Sequence, residues 1–532
     1  MKKILLTALI FIFFITLNKA QDDALIKGLN SITPDAIKAQ MGFLASDFTE
    51  GREAGEKGEY LAAEYISSIL QLAGLKPGGD PATLRPGLIN SGAGQKTWFQ
   101  NFSLLKTVPE GSPVMFISDI SGNTEKTVEL APDADFIVRY VTQSVEIKAP
   151  VVFIGYGFRN SKLNYNDFEK CEIKGKFVLR VSGIPSFARK ALTPDEITAS
   201  QRESDSFIRE QGAAGIIEFD PYSITAGNPP EKEFLKSSPA EERPTTGRPR
   251  ARFTIPTSGP ADNFITAVVA SRVARELVKG SGFTIEDYLT KADAGQAFSK
   301  SALNGKNAII KTSVSTTLVP VRNVLGVIEG RNPGEVIVVG AHYDHMGMGN
   351  GYVWNGADDN ASGTVAVMTL ARAAMMTGLK PEKTIVFALW TAEEEGLLGS
   401  RYYVRNPSYP ISYIKLNMNF DMVSRYISDD NPKGVVMTYT KANPKFREVA
   451  EAGLKKYNID LTVDYQASDD PPGGTDHRSF VEYKIPVIRF KPGHREEYHT
   501  PADELETIDW DIMEKIIRIN FVTLWELANS KW

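Results

Sequence analysis

The sequence predicts an α/β chain built on a mostly parallel, doubly covered sheet, with a separate β-rich module inserted into it. Three observations carry this reading. Apolar runs of strand length recur through the C-terminal section: Val336–Ala341, Thr384–Leu389, Ile414–Phe420 and Pro486–Phe490. Between the first two lies Ala361–Met376, with Ala, Val, Met and Leu at helical spacing, so strand and helix alternate as they do in parallel sheets covered on both faces. From about 140 to 300 the texture changes to short apolar runs separated by turns, and 532 residues are too many for one core.

In chain order, residues 1–20 read as a secretory signal: Lys2 and Lys3 give the charged start, Leu5–Leu17 the apolar stretch, and Asn18-Lys19-Ala20 the exit. That stretch is short for a membrane span. Residues 31–77 are expected to be helical, starting at Thr33-Pro34-Asp35, where a cap residue precedes a proline. Gly78–Gln95 reads as loop. In the inserted module, Pro150–Tyr156, Lys176–Val181 and Ala213–Phe219 are apolar runs, and Asp195–Gly212 reads as helix. Asn228–Arg252 reads as an exposed loop and Ile265–Lys279 as strand then helix. The expected organisation is a signal peptide at 1–20 and an N-terminal part of the main domain at 21–139. An insert at 140–300 and a C-terminal part at 301–532 complete it.

Composition excludes several classes. Loss of residues 1–20 would take three lysines from 60 basic residues, leaving 57 against 65 acids, a net charge of −8. A mildly acidic chain carries no electrostatic footprint for nucleic acid. Cys171 is the single cysteine, which excludes an intramolecular disulfide, a lipoprotein cysteine after the signal and thiolate-rich zinc sites. Any zinc must be held by His and carboxylate. All five histidines (342, 345, 477, 494 and 499) fall in the C-terminal part.

In open α/β sheets, ligands bind beyond the carboxyl ends of the strands. His342 and Asp344 follow one apolar run, Glu393 and Glu394 the next, and Asp421 the third. Asp358 stands at the mouth of the helix near Ala361, and His499 lies in the loop after Phe490. Taken singly, each has a structural reading: an N-cap for Asp358-Asp359-Asn360, a solvated run for Glu393-Glu394-Glu395. Together they point to one rim carrying nitrogen and oxygen ligands. Two zinc ions bring four positive charges, which Asp358, Glu394, Asp421 and one hydroxide balance when His342 and His499 are neutral.

These segments, Gly340-Ala-His-Tyr-Asp-His345, Gly356–Gly363, Thr391–Ser400, Asn419–Met422 and Glu497–Pro501, resemble the co-catalytic zinc exopeptidases. That family includes bacterial leucyl aminopeptidases, glutamate carboxypeptidase and the transferrin receptor ectodomain. Thr49-Glu-Gly-Arg-Glu-Ala-Gly55 matches as well, and 140–300 resembles a protease-associated domain inserted in that phosphorylase/hydrolase-like peptidase fold. The resemblance implies two zinc ions, with His342 and Asp421 completing one, Glu394 and His499 the other, and Asp358 between them. It implies Glu393 as general base, Asp344 holding the ring of His342, and His477 at the substrate, with His345 and His494 as neighbours. The implied activity is that of an exported, periplasmic or extracellular aminopeptidase acting on small peptides. A carboxypeptidase or dipeptidase is the alternative, requiring a basic group such as Arg401, Arg425, Arg478 or Arg489 at the site. A one-zinc glutaminyl cyclase and a non-catalytic homologue are further alternatives.

Overall fold

Strands buried on both faces need no polar alternation, and the four apolar runs named above do become central strands of a sheet. The computed structural model describes residues 22–81, 95–121, 124–139, 143–169, 171–223, 251–256, 264–296, 302–491, 493 and 495–532. The signal at 1–20, His494 and all but the last two residues of the Asn228–Arg252 loop lie outside these. By its internal packing the chain divides into two units, one comprising the described residues up to Leu104 together with Val319–Trp532, the other those within Leu105–Leu318.

In the first unit the strands of the ten-stranded sheet that concern the site are β1 (Val314–Ile328), β2 (Asn332–His342), β3 (Lys383–Trp390), β4 (Ile414–Asn419), β5 (Gly434–Thr440), β6 (Thr462–Ser468) and β7 (Val487–Lys491). Their order is β1-β3-β2-β4-β7-β5-β6. The centre is parallel (β3, β2, β4 and β7), while β1 and β5 join antiparallel. The helices used below are α1 (Pro34–Leu44), α2 (Lys57–Leu72), α3 (Gly363–Met376), α4 (Leu398–Arg405), α5 (Lys445–Lys456), α6 (His477–Val481) and α7 (Trp510–Asn529). The expected start of α1 is there: Thr33 Oγ1 accepts from the Ala36 backbone N–H at 3.4 Å, and Pro34 is the first helical residue.

Alternate residues of β2 and β3 feed two cores. Ile337, Val339, Ile385, Phe387 and Leu389 pack with α1, α2, α3 and α7. Val336, Val338, Val386 and Trp390 pack with Tyr403 of α4 and Phe480 of α6. Each face is therefore covered, and polar chemistry is left to the strand ends.

The second unit holds an eight-stranded sheet with a core of its own, including Met115, Phe153, Phe177, Ile217 and Tyr288. It extends beyond the expected 140–300. Val114–Ser121, Thr124–Leu130 and Phe136–Arg139 join it, as does Ala302–Thr312, because Met115, Ile117, Leu130, Phe136 and Ile310 bury their apolar faces in that core. The expected helix there is Pro194–Glu210, closed by a Thr193–Glu196 capping box. Among the described residues no helix is long and apolar enough to cross a membrane.

Candidate metal centre

β2 carries His342 to the carboxyl end of the sheet, where the ring is fully buried. Its Nε2 has no hydrogen-bond partner. Three carboxylates surround it, with Asp359 Oδ1 at 3.3 Å, Asp421 Oδ1 at 3.7 Å and Glu393 Oε2 at 3.9 Å. On the far side of Asp359, His499 Nε2 lies 3.0 Å from Oδ2 and 3.2 Å from Glu394 Oε2. The two oxygens of one carboxylate thus face two histidines from different segments.

That carboxylate belongs to Asp359, and the expectation for Asp358 is corrected by one residue. Asp358 Oδ1 turns away and accepts from the Ser424 backbone N–H at 3.1 Å and its hydroxyl at 2.6 Å, while Oδ2 faces Arg425 Nε at 3.8 Å. The backbone at Asp359 and Asn360 leaves helical geometry (φ −106°, ψ 91° and φ −137°, ψ 43°), so neighbouring side chains do not follow helix spacing. Asp503 fixes the turn by accepting from the backbone N–H groups of Asp358 and Asp359, both at 2.9 Å. Gly363 closes it from the other side: a Cβ there would lie 2.4 Å from the Phe420 carbonyl oxygen.

Asp344 also departs from its expected contact. The Nδ1 of His342 lies 3.2 Å from the backbone carbonyl of Asp344, with the carboxylate Oδ1 farther away at 3.8 Å. The carboxylate instead accepts from the backbone N–H groups of Glu393 (3.0 Å) and Glu394 (3.3 Å), fixing the turn that presents both acids. His345, expected as a neighbour, makes a 2.7 Å contact from Nδ1 to Glu394 Oε1, and with Asp359 and Glu394 it forms a possible ligand group. His477 is buried, with Nε2 3.2 Å from the Pro471 carbonyl oxygen, so it packs the 471–475 loop and is absent from the cavity wall. Thr475 and Gly474 of the same segment line that wall instead.

The electrostatics follow from crowding acids out of water. Burial disfavours an imidazolium at His342, yet Glu393, Asp359 and Asp421 outweigh it and raise its pKa well above the usual value. His499 is raised to about 10 by Asp359 and Glu394 against the same burial penalty. Burial would raise Glu394, but His345 and His499 hold it well below the ordinary carboxylate range. Burial drives Glu393 the other way, well upward, and Glu394 and Asp476 add to it. The cluster therefore attracts positive charge at both histidines and keeps one carboxyl able to hold a proton.

Tested against zinc, the residues fit. His342, Asp359 and Asp421 offer one set of ligand atoms, all within 4.8 Å of one another. Asp359, Glu394 and the imidazoles of His345 and His499 offer a second. Imidazole nitrogen and carboxylate oxygen suit zinc. A buried ring nitrogen without a hydrogen-bond partner, facing oxygens only, is where a cation belongs. The adjoining cavity measures about 380 Å³.

The Thr49–Gly55 segment has a purpose that its residues do not disclose until they are folded. Arg52 is fully buried, donating from Nε to the Tyr343 carbonyl (2.7 Å), from Nη1 to those of Leu44 and Asn355 (the latter 2.7 Å), and from Nη2 to Gly356 (3.0 Å). It ties the strand end bearing His342 to the turn bearing Asp359. Arg52→Met should therefore lower unfolding stability by about 3 kcal/mol or more, since it orphans buried carbonyls. Urea titration of the folded protein measures this, and a loss below about 1 kcal/mol would contradict the bracing role.

The fold and this centre define a candidate metal site at the carboxyl ends of parallel strands. Residues 323–524 match the model of peptidase family M28. Leupeptin-inactivating enzyme 1 of Streptomyces exfoliatus is 32% identical over 171 residues, 31% of this chain and 34% of that protein. Leucine aminopeptidase 2 of Trichophyton rubrum is 32% identical over 167 residues, 31% of this chain and 32% of that one. The chain thus spans about a third of the length of the curated relatives it matches. The solved structure of an aminopeptidase from Aneurinibacillus sp. strain AM-1 superposes with a TM-score of 0.55 at 18% identity, covering 95% of this chain and 96% of that one, which shows the shared fold.

Proposed function

We propose that this protein is an exported, two-zinc exopeptidase that removes N-terminal residues from small peptides. The observation that carries the reading is Asp359, one oxygen toward His342 and the other toward His499, with Glu393 beside the first. The names of the relatives, leucine aminopeptidases among them, favour the amino end over the carboxyl end.

Bound zinc would be held by His342, Asp359 and Asp421 on one side and by Asp359, Glu394 and His499 on the other; it supplies polarisation of the scissile carbonyl and a lowered pKa for the attacking water. The remaining work falls to the chain. Glu393 takes the proton of the water as it attacks and delivers it to the departing amine. Its burial, which favours the protonated carboxyl, suits the second half of that transfer. Asp344 holds Glu393 and Glu394 through their backbone N–H groups, so neither drifts during the exchange. Acidic groups at the rim attract the free amine of the peptide.

A panel of amino-acyl chromogenic amides and N- or C-blocked dipeptides, run with and without chelator, tests this. Hydrolysis of free-amine substrates that chelator abolishes is the expected result. Cleavage confined to N-blocked peptides with a free carboxyl end would make the protein a carboxypeptidase.

A further inference from the structure

Four arginines were available to the sequence as a basic group at the site, and the structure places one of them there. Arg489 lies on β7, and strand alternation puts Lys491 on the same face two residues on. Both line the cavity that contains Asp359, Glu393 and Asp421. Arg425 lines a different hollow of about 790 Å³, and Arg478 pairs with Asp470.

Arg489 is only 6% exposed, and its one hydrogen bond among the described residues runs from Nη1 to the Pro472 carbonyl oxygen at 2.8 Å. A guanidinium has five N–H donors, most of which meet no acceptor among the described residues, and burying an incompletely paired charge is costly. No carboxylate of the described residues lies within ion-pair distance of it; Asp421 acts on it only at longer range. The loop is shaped to admit it: Gly473 has φ +110°, and a Cβ there would stand 2.3 Å from Arg489 Nη1. With zinc matched by Asp359, Glu394, Asp421 and water-derived charge, the Arg489 guanidinium remains as a cation on the wall that Lys491 also lines. An apolar side-chain pocket has no use for that guanidinium.

We propose that Arg489, assisted by Lys491, binds a carboxylate of the substrate, so that the enzyme selects peptides bearing an acidic terminal side chain or a free carboxyl end close to the cleaved bond. This rests on the peptidase reading above. A planar guanidinium matches a carboxylate through two parallel hydrogen bonds, which makes arginine selective for that group over its amide.

The test compares kcat/KM for glutamyl and glutaminyl anilides, and for leucyl-leucine with free and amidated carboxyl ends, in the intact protein and in Arg489→Gln and Lys491→Met. The expected result is a preference of about tenfold or more for the carboxylate form in one pair, collapsing toward one in Arg489→Gln and reduced in Lys491→Met. Which pair shows it tells whether the carboxylate is a side chain or a chain end. Ratios near one in both pairs, or ratios unchanged in both variants, overturn the proposal. If Arg489→Gln does not fold, Lys491→Met decides alone. Calorimetric titration with glutamate and glutamine reads recognition without turnover. Tighter glutamate binding, weakened in the variants, supports the proposal even if no peptide is cleaved, an outcome that would refute the peptidase reading alone. Equal binding of the two overturns the proposal.

Discussion

Asp359→Ala is expected to strip the protein of bound zinc and of peptide hydrolysis together, whereas Asp358→Asn keeps both. Asp359 has one oxygen toward His342 and the other toward His499, so on the proposed assignment its loss removes a ligand from both halves of the centre. Asp358 is equally buried but is committed to Ser424, and Asn retains the acceptor oxygen that the serine needs. The Asp358 variant loses only part of an ion pair with Arg425, an effect of about 1–3 kcal/mol on stability. Metal analysis after dialysis and turnover of an amino-acyl amide distinguish the two variants. Full metal in Asp359→Ala, or loss in Asp358→Asn, would return the bridging role to Asp358.

Glu393→Gln should cut turnover by about a hundredfold or more while the metal content stays unchanged. Glu393 Oε2 stands 3.9 Å from His342 Nε2, beside the candidate centre. The amide keeps shape and hydrogen bonds but cannot take a proton. Retained turnover would remove Glu393 from that role, and loss of metal would make it a ligand. Glu394→Ala gives the contrast: it should lose metal, because Glu394 contacts both His499 and His345.

Much of this centre could be read from the chain alone because it lies where buried strands end. β2 and β3 carry the apolar runs Val336–Ala341 and Ile385–Trp390, so His342 at the end of the first and Glu393 beyond the second stand out as polar residues, while Lys415, Asn417, Arg489 and Lys491 interrupt β4 and β7. β1 was harder: its first half is exposed, and Pro320 and Arg322 interrupt the apolar pattern. β6 alternates exposed and half-buried residues at the sheet edge and offers no run to recognise. The choice between Asp358 and Asp359 was invisible, because adjacent identical residues in a non-helical turn differ only in where the backbone points them. Arg52 and Asp503 were missed for a related reason. They act through backbone carbonyl and N–H groups, which leave no partner residue type in the sequence to pair with them. The segment Glu497–Pro501 ended two residues short of Asp503. His477 carried the opposite error, since a histidine in a glycine-flanked loop looks available for substrate, yet its ring is turned into the loop.

The proposed function requires two cations, with Asp359 among the ligands of both. Elemental analysis of the intact protein, purified without chelator and equilibrated with zinc, tests it most directly. Two equivalents of zinc per chain are predicted, the second lost along with the first in Asp359→Ala. A single equivalent at saturation, unaltered by that substitution, would contradict it.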